Sequence, residues 1–301
     1  MPGKRQPIDP LYRRRRALAL VTLVGVALVV VIAAGVGGST IAHHARTEPL
    51  GFFGRIKSLA GNGSGSFAIA ERASENAAID RTLAYTPYVR VAGSQHREIA
   101  LTFDDGPGPY TPQILAVLHR ADVPATFFEV GVLEQYFHAS TSKIVADGYP
   151  IGDHTQTHAP MSKLSAADQQ GQLLEQSSLI GDYGAPFPRL FRPPYGLWND
   201  TTLALLRKYR MLMVLWTVDT GDYRRPGTQA IVHAAIASAR PGAIVLMHDA
   251  GGDRSQTVAA LPEIIAALRA RRYQLVTVPR LLLDNPAPAN QQISALVGSG
   301  G

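Results

Sequence analysis

The chain has no cysteine among its 301 residues. That excludes disulfides, thiolate metal ligands and a cysteine nucleophile, so any metal site must draw on histidine and carboxylate. It leaves the compartment open, because exported proteins also do without cysteine. Net charge is almost absent beyond the first sixteen residues. Lys4, Arg5, Arg13, Arg14, Arg15 and Arg16 stand against Asp9, a net of +5 out of the chain's +6, so the remainder carries about +1. A nucleic-acid partner needs a basic folded surface, and none is expected here. Residues 17–38 lack charge altogether. A helix over them would run about 33 Å at ~1.5 Å per residue, enough for a bilayer core of ~30 Å. The arginines directly before this run place the N-terminus in the cytoplasm and the rest outside, as a single-pass protein of the plasma membrane. A cleaved signal peptide is the competing reading, with an apolar region of ~7–15 residues and an A-x-A-like site. The run here is longer, and residues 39–45 make a poor site, so an uncleaved anchor is expected.

The length and a hydrophobic share of 46% suit one large domain with accessory segments. The expected division is a basic cytoplasmic tail over 1–16, the anchor over 17–38, a stalk over 39–90, a folded domain over 91–285 and a disordered tail over 286–301. The stalk includes the flexible run Gly61-Asn62-Gly63-Ser64-Gly65-Ser66 and a loosely amphipathic helix over 67–85. No internal repeat is visible. In the folded part, short apolar runs at 98–103, 125–130, 149–151, 189–191, 211–217, 243–247 and 274–277 read as strands. Helix-like segments at 112–120, 141–147, 165–183, 201–208, 228–239 and 257–272 fall between them. This alternation predicts the α/β class with parallel strands and crossover helices. About seven such units suit a (β/α) barrel, in which chemistry gathers at the C-terminal ends of strands.

Polar clusters fall at those ends. Asp104 and Asp105 follow the first strand in Leu101-Thr102-Phe103-Asp104-Asp105-Gly106-Pro107. Side chains alternate along a strand, so the two carboxylates should diverge and hold different jobs, one on a metal and one on a water. Alone, Asp-Gly-Pro also reads as a plain turn. His154 and His158 follow the third strand at i, i+4, a spacing that serves a helix face or a tight loop. Two histidines and a carboxylate are a common Zn²⁺ ligand set. Arg192 opens Arg192-Pro193-Pro194-Tyr195-Gly196, a rigid loop. It reads as a surface cation or as a bidentate holder of a carboxylate, and the backbone N–H of Tyr195 reads as an oxyanion donor. Trp216, Asp219, Asp222 and Tyr223 follow the fifth strand, with the aromatics suited to the core or to sugar rings. His248 ends the sixth, in Leu246-Met247-His248-Asp249, and is either a satisfied core histidine or part of the same site.

These five motifs, in this order, resemble the polysaccharide deacetylases, carbohydrate esterase family 4 or the NodB-homology domain. The resemblance covers about residues 91–284 and implies a distorted (β/α) barrel. It also implies metal-dependent removal of N-acetyl, or sometimes O-acetyl, groups from polysaccharides. Carried over by position, it implies Asp105, His154 and His158 as ligands of one divalent metal ion, Zn²⁺ first, with Co²⁺ or another divalent ion as alternatives. It implies Asp104 as general base toward water, Arg192 as the residue orienting it, and the Tyr195 N–H as oxyanion donor. His248 is then the general acid, Asp222 its orienting carboxylate, and Leu246 part of the acetyl pocket, with Trp216 and Tyr223 as substrate contacts. Tyr223 departs from the family, which usually has Trp there, and this bears on groove shape. With an N-in anchor, the expected substrate is an N-acetylated polysaccharide of the cell envelope such as peptidoglycan. A non-catalytic glycan-binding or envelope-assembly domain of the same fold, and a small-molecule metal amidohydrolase, are the alternatives.

Overall fold

A computed structural model of the chain describes residues 65–292. The basic tail, the anchor, the first part of the stalk and the last part of the C-terminal tail lie outside the described residues. Among the described residues no helix is long and apolar enough to cross a membrane.

The sheet is built around β2 (Glu98–Gly106), whose residues are buried almost throughout. A strand buried on both faces reads as a continuous apolar run, and this one does so until its carboxylates. Its neighbours are β3 (Thr126–Glu129) and β8 (Ala243–His248), both parallel to it, while β9 (Gln274–Val276) flanks its first residues. Beyond β3 come β4 (Ile151–Asp153), β5 (Leu190–Phe191), β6 (Leu212–Val214) and β1 (Tyr88–Val89), and beyond β8 comes β7 (Val218–Asp219). The ladder pairs are all parallel. The expected barrel is thus a curled, incompletely closed sheet of nine strands. Its end strands β1 and β7 have only two residues each, too few to ladder to one another. An isolated antiparallel bridge, Val91–Ala243, and the hydrogen bond from Thr217 Oγ1 to Arg90 O at 2.5 Å span the gap instead.

Helices cover the outside: α2 (Thr111–Ala121), α3 (Gly131–Tyr136), α4 (His138–Ala146), α5 (Ala166–Asp182), α6 (Asp200–Tyr209), α7 (Thr228–Ala237) and α8 (Ser255–Ala270). Local chemistry sets several ends. Ser165 accepts the Asp168 N–H to cap α5, Asn199 and Thr202 form a capping box on α6, and Asp122 closes α2 in the left-handed region. Along β2, Ile99, Leu101 and Phe103 face the core shared with α2 and α8. The alternate face, Ala100, Thr102 and Asp104, looks into the curl and is small or polar. The large side chain filling that interior is Arg192, with no exposure at all.

The stalk assignment needs correction where it meets the described residues. Helix α1 (Gly65–Leu83) packs on α9 (Val278–Asp284), burying Ala78 and Ile79. Arg280 reaches Glu71 at 3.3 Å, and Tyr85 Oη–H donates to Ala287 O at 2.7 Å. Gln291 Oε1 accepts the N–H groups of Arg90 and Val91 at 2.7 and 3.1 Å. The folded body therefore includes residues on both sides of the expected 91–285 boundaries. The helix expected over 67–85 is α1, two residues earlier. Strands β1 and β7 and helices α3 and α9 add to the predicted set, and β4 lies two residues later than expected, which brings its end directly to His154.

Candidate active site

The site starts from an irregularity in β2. Strict alternation would send Asp105 to the helix-covered face, away from Asp104. The parallel register with β3 shifts between Asp104 and Gly106, and Asp105 takes φ +69°. This bulge turns its carboxylate to the mouth of the curl. The two carboxylates do diverge, through a bulge and not through simple alternation. Asp104 stays inside, where its Oδ1 accepts from Arg192 Nη1 at 2.6 Å. Arg192 is no surface cation, and its grip is not the two-pronged one. Nη1 also donates to Thr102 Oγ1 at 2.8 Å, Nε goes to Val214 O at 2.9 Å and Nη2 to Leu215 O at 3.3 Å. The guanidinium lies over the Phe128 ring at 4.1 Å. Burial pulls the Arg192 pKa down, with the Asp104 charge opposing that pull.

His154 and His158 sit in a loop, not a helix. Asp153 Oδ1 accepts the Thr155 N–H at 2.7 Å, and Thr155 and His158 both have positive φ. The turn brings His154 Nε2 to 3.4 Å and His158 Nε2 to 3.0 Å from Asp105 Oδ1. One ligand atom from each of Asp105, His154 and His158 lies within 4.8 Å of the others. The donor chemistry fits a cation. His154 Nδ1 is 2.7 Å from Arg192 O, a carbonyl that can only accept, so Nδ1 carries the hydrogen. In the neutral ring, Nε2 then presents a lone pair to a carboxylate oxygen. Two facing acceptors need a positive charge between them, which a divalent ion supplies. Burial pushes the Asp105 pKa up, but hydrogen bonds and charge from the two histidines and His248 hold it well below the usual carboxylate range.

Across the cleft, His248 Nδ1 faces Asp222 Oδ1 at 2.7 Å, while its backbone N–H reaches Asp222 Oδ2 at 2.8 Å. Thr257 Oγ1 donates to the same oxygen at 2.8 Å. Asp104, Asp105, His154, His158, Tyr195, Trp216, Tyr223, Leu246 and His248 all border one cleft of about 370 Å³. Arg192 and Asp222 stand behind it. All eleven expected residues therefore converge, nine on the cleft and two on the groups lining it.

A family profile described as polysaccharide deacetylase matches residues 92–214. A chitooligosaccharide deacetylase of Bradyrhizobium sp. (strain ANU 289) is 39% identical over 208 residues, 64% of this chain and 94% of the relative. The chain belongs to the polysaccharide deacetylase family. A peptidoglycan-N-acetylglucosamine deacetylase of Bacillus cereus is 38% identical over 187 residues, 61% of the deacetylase here and 87% of that protein. A crystal structure of a peptidoglycan N-acetylglucosamine deacetylase with a hydroxamate-type benzamide superposes with TM-score 0.65 at 28% identity. It covers 69% of this chain and 97% of that one.

Electrostatics divide the deacetylase cleft. Burial would lower the His248 pKa, but the charge and hydrogen bond of Asp222, with Asp105 and Asp104 beyond, push it up to about 9. Asp222 is held below its ordinary value by the same contact, against its own burial. Sequence reasoning gave no role to Gly251 and Arg254 at the cleft or to Asp249 behind it. Gly251, at φ +73°, abuts Asp105 so closely that a Cβ there would lie 2.4 Å from Oδ2. Arg254 holds that turn through the carbonyls of Ala250 and Gly251 at 2.7 and 2.8 Å. Asp249 is fully buried against Gly106, accepts from Thr111, and has its pKa pushed up by burial to about 7. Only Asp249 carried a sequence signal, as the second half of His248-Asp249.

Proposed function

We propose that the protein hydrolyses N-acetyl groups of a cell-envelope glycan such as peptidoglycan. The observation that carries this reading is the pairing across one cleft of a carboxylate held by Arg192 and an imidazole held by Asp222, with Asp105, His154 and His158 between them. Those three would hold the divalent ion, Zn²⁺ in the first place. When bound, it supplies a Lewis acid that polarises the acetyl carbonyl and eases deprotonation of water.

The chain's own groups do the rest. Asp104, fixed by Arg192, takes a proton from the attacking water as its oxygen bonds to the acetyl carbon. The oxygen of that carbon becomes negative and meets the Tyr195 backbone N–H. A donor so placed lowers the barrier by about 3 kcal/mol. His248 delivers its Nε2 proton to the amide nitrogen, the C–N bond breaks, and acetate and an amine leave. Leu246, 4% exposed, offers an apolar wall to the methyl group.

A carboxylate gripped by Arg192 and an imidazole held protonated by Asp222 share the cleft. This favours hydrolysis over a glycan-binding domain, which needs neither. An open cleft bordered by Trp216, Tyr195 and Tyr223 favours a polymer over a small amide. Relatives named for chitooligosaccharide and for peptidoglycan N-acetylglucosamine support an N-acetylated glycan. Export and anchoring rest on the uncharged run 17–38 behind its arginines. The test is acetate release by the full chain with Zn²⁺ or Co²⁺ on peptidoglycan, chitooligosaccharides and acetylxylan. Release above that of Asp104→Asn on peptidoglycan or chitooligosaccharides is expected. No excess on any of the three sinks the reading.

A further inference from the structure

Tyr195 is placed by its backbone, yet its side chain also reaches the expected ligand set. Its hydroxyl lies 3.1 Å from His158 Nδ1, and its ring stands edge-on to the imidazole with centroids 4.6 Å apart. The residue has φ +60°, a conformation non-glycine residues seldom adopt, and is 46% exposed at the cleft. The two histidines are therefore secured differently. A carbonyl opposite His154 Nδ1 permits one tautomer only. A hydroxyl opposite His158 Nδ1 permits two, because it can donate or accept.

Each tautomer assigns the phenolic hydrogen a different place. When Tyr195 donates to Nδ1, His158 Nε2 carries the ring hydrogen and donates to Asp105 Oδ1, 3.0 Å away. That arrangement satisfies the ring and closes Nε2 to a cation. When Nε2 is a free ligand atom, Nδ1 carries the hydrogen and donates to Tyr195 Oη. The phenolic hydrogen must then leave the imidazole, and the cleft is where this half-exposed residue opens. A glycan oxygen there can accept it, and a hydrogen bond made to one side of the hydroxyl strengthens the one on the other.

We propose that the Tyr195 hydroxyl is a positioning group that selects the ligand tautomer of His158 and couples ion binding to glycan binding. The ion-ready tautomer offers the glycan a donor, and the bound glycan holds His158 in that tautomer. The inference rests on reading Asp105, His154 and His158 as the ion's ligands. Coupling of this kind is reciprocal, so a glycan must tighten the ion.

The decisive variant is Tyr195→Phe, which keeps the ring and the backbone N–H and removes only the hydroxyl. Zn²⁺ affinity is measured by chelator competition for the full chain and the variant, each alone and with saturating deacetylated chitotetraose. The Tyr195→Phe variant is expected to bind Zn²⁺ about 10-fold more weakly or worse, the range for loss of a partner behind a metal-ligating histidine. Its metal-free melting temperature should be unchanged. The oligosaccharide should tighten Zn²⁺ about 5-fold or more in the wild type and not in the variant. Equal Zn²⁺ affinity in both chains overturns the proposal. So does an oligosaccharide that leaves the wild type unmoved, or that tightens both chains equally. The proposed function fails separately: a wild type that binds Zn²⁺ with this coupling but releases no acetate overturns that function alone. A wild type that binds no Zn²⁺ overturns both.

Discussion

The two sides of the cleft use the same residue types with opposite wiring. On one side His154 gives its Nδ1 hydrogen to a backbone carbonyl and turns Nε2 toward a carboxylate. On the other, His248 gives its Nδ1 hydrogen to a carboxylate and turns Nε2 to the cleft. A carbonyl behind a ring fixes the hydrogen on Nδ1, so the neutral ring can offer its lone pair only from Nε2. A full negative charge behind a ring stabilises imidazolium, ready to donate a proton. Asp104 and Asp222 differ in the same way, one held by a buried guanidinium and one by the histidine it charges. Function here is written less in which residues meet the cleft than in what stands behind each of them.

The largest expected effect breaks the base side. Asp104→Asn should lower kcat by about 10²–10⁴, the usual range for a lost general base. It should keep bound metal, which a metal assay on the purified variant checks. On the acid side, His248→Gln should fall by a similar factor, again about 10²–10⁴ in kcat. The pH profile sharpens the contrast. An acid must be protonated, so activity should fall as pH rises through about 9. Asp222→Asn removes the charge that raises this pKa and should move the alkaline limb of kcat/KM to lower pH. An unmoved limb would remove His248 from the acid role.

The stabilities of the two sides should also differ. Arg192→Met leaves Asp104 buried without its cation and should cost about 3–5 kcal/mol in denaturant unfolding. The His248 pKa lies above the ordinary value of 6.5, so its pairing stabilises the fold fully below that pH. That contribution is lost as pH rises through about 9, and unfolding midpoints across pH 6–10 should record it. Gly251→Ala adds a Cβ 2.4 Å from Asp105 Oδ2 and should weaken metal binding by about 10-fold or more, with little change on the acid side. The smallest effect is expected of Tyr223→Trp. Tyr223 packs edge-on to His248 with Arg224 over its ring, so the larger ring should shift KM by less than about 10-fold and leave kcat near its starting value.

Much of the site was legible because carboxylates and histidines interrupt apolar runs where strands stop. β2 and β8 are long enough to show that pattern, and Asp104, Asp105 and His248 follow directly. The bulge at Asp105 was not legible, since Asp-Asp-Gly gives no sign of which residue leaves the ladder. β1 and β7, with two residues each, are too short for any periodicity to register. The packing of α1 was missed because its apolar positions repeat only loosely, and the burial falls on Ala78, Ile79 and Thr82 near its end, among many small or polar residues. α9 was hidden behind β9, from which Thr277 alone separates it; Thr277 read as the strand's last residue and is in fact the helix cap. Gly251 and Arg254 escaped because their roles depend on approach through space.

The contacts that join the two margins of the folded body have a practical consequence. Residues 85–91 and 287–291 hold one another through Tyr85, Arg90, Val91 and Gln291. Margins this close can be linked and the chain opened elsewhere. The turn around Gly184, where an added Cβ would meet nothing within 4 Å, lies before β5 and so at the end of the sheet opposite the cleft. A circular permutant opened there would keep every strand end that carries the site, and the permuted domain could then be fused to a carrier without going through residues 1–64.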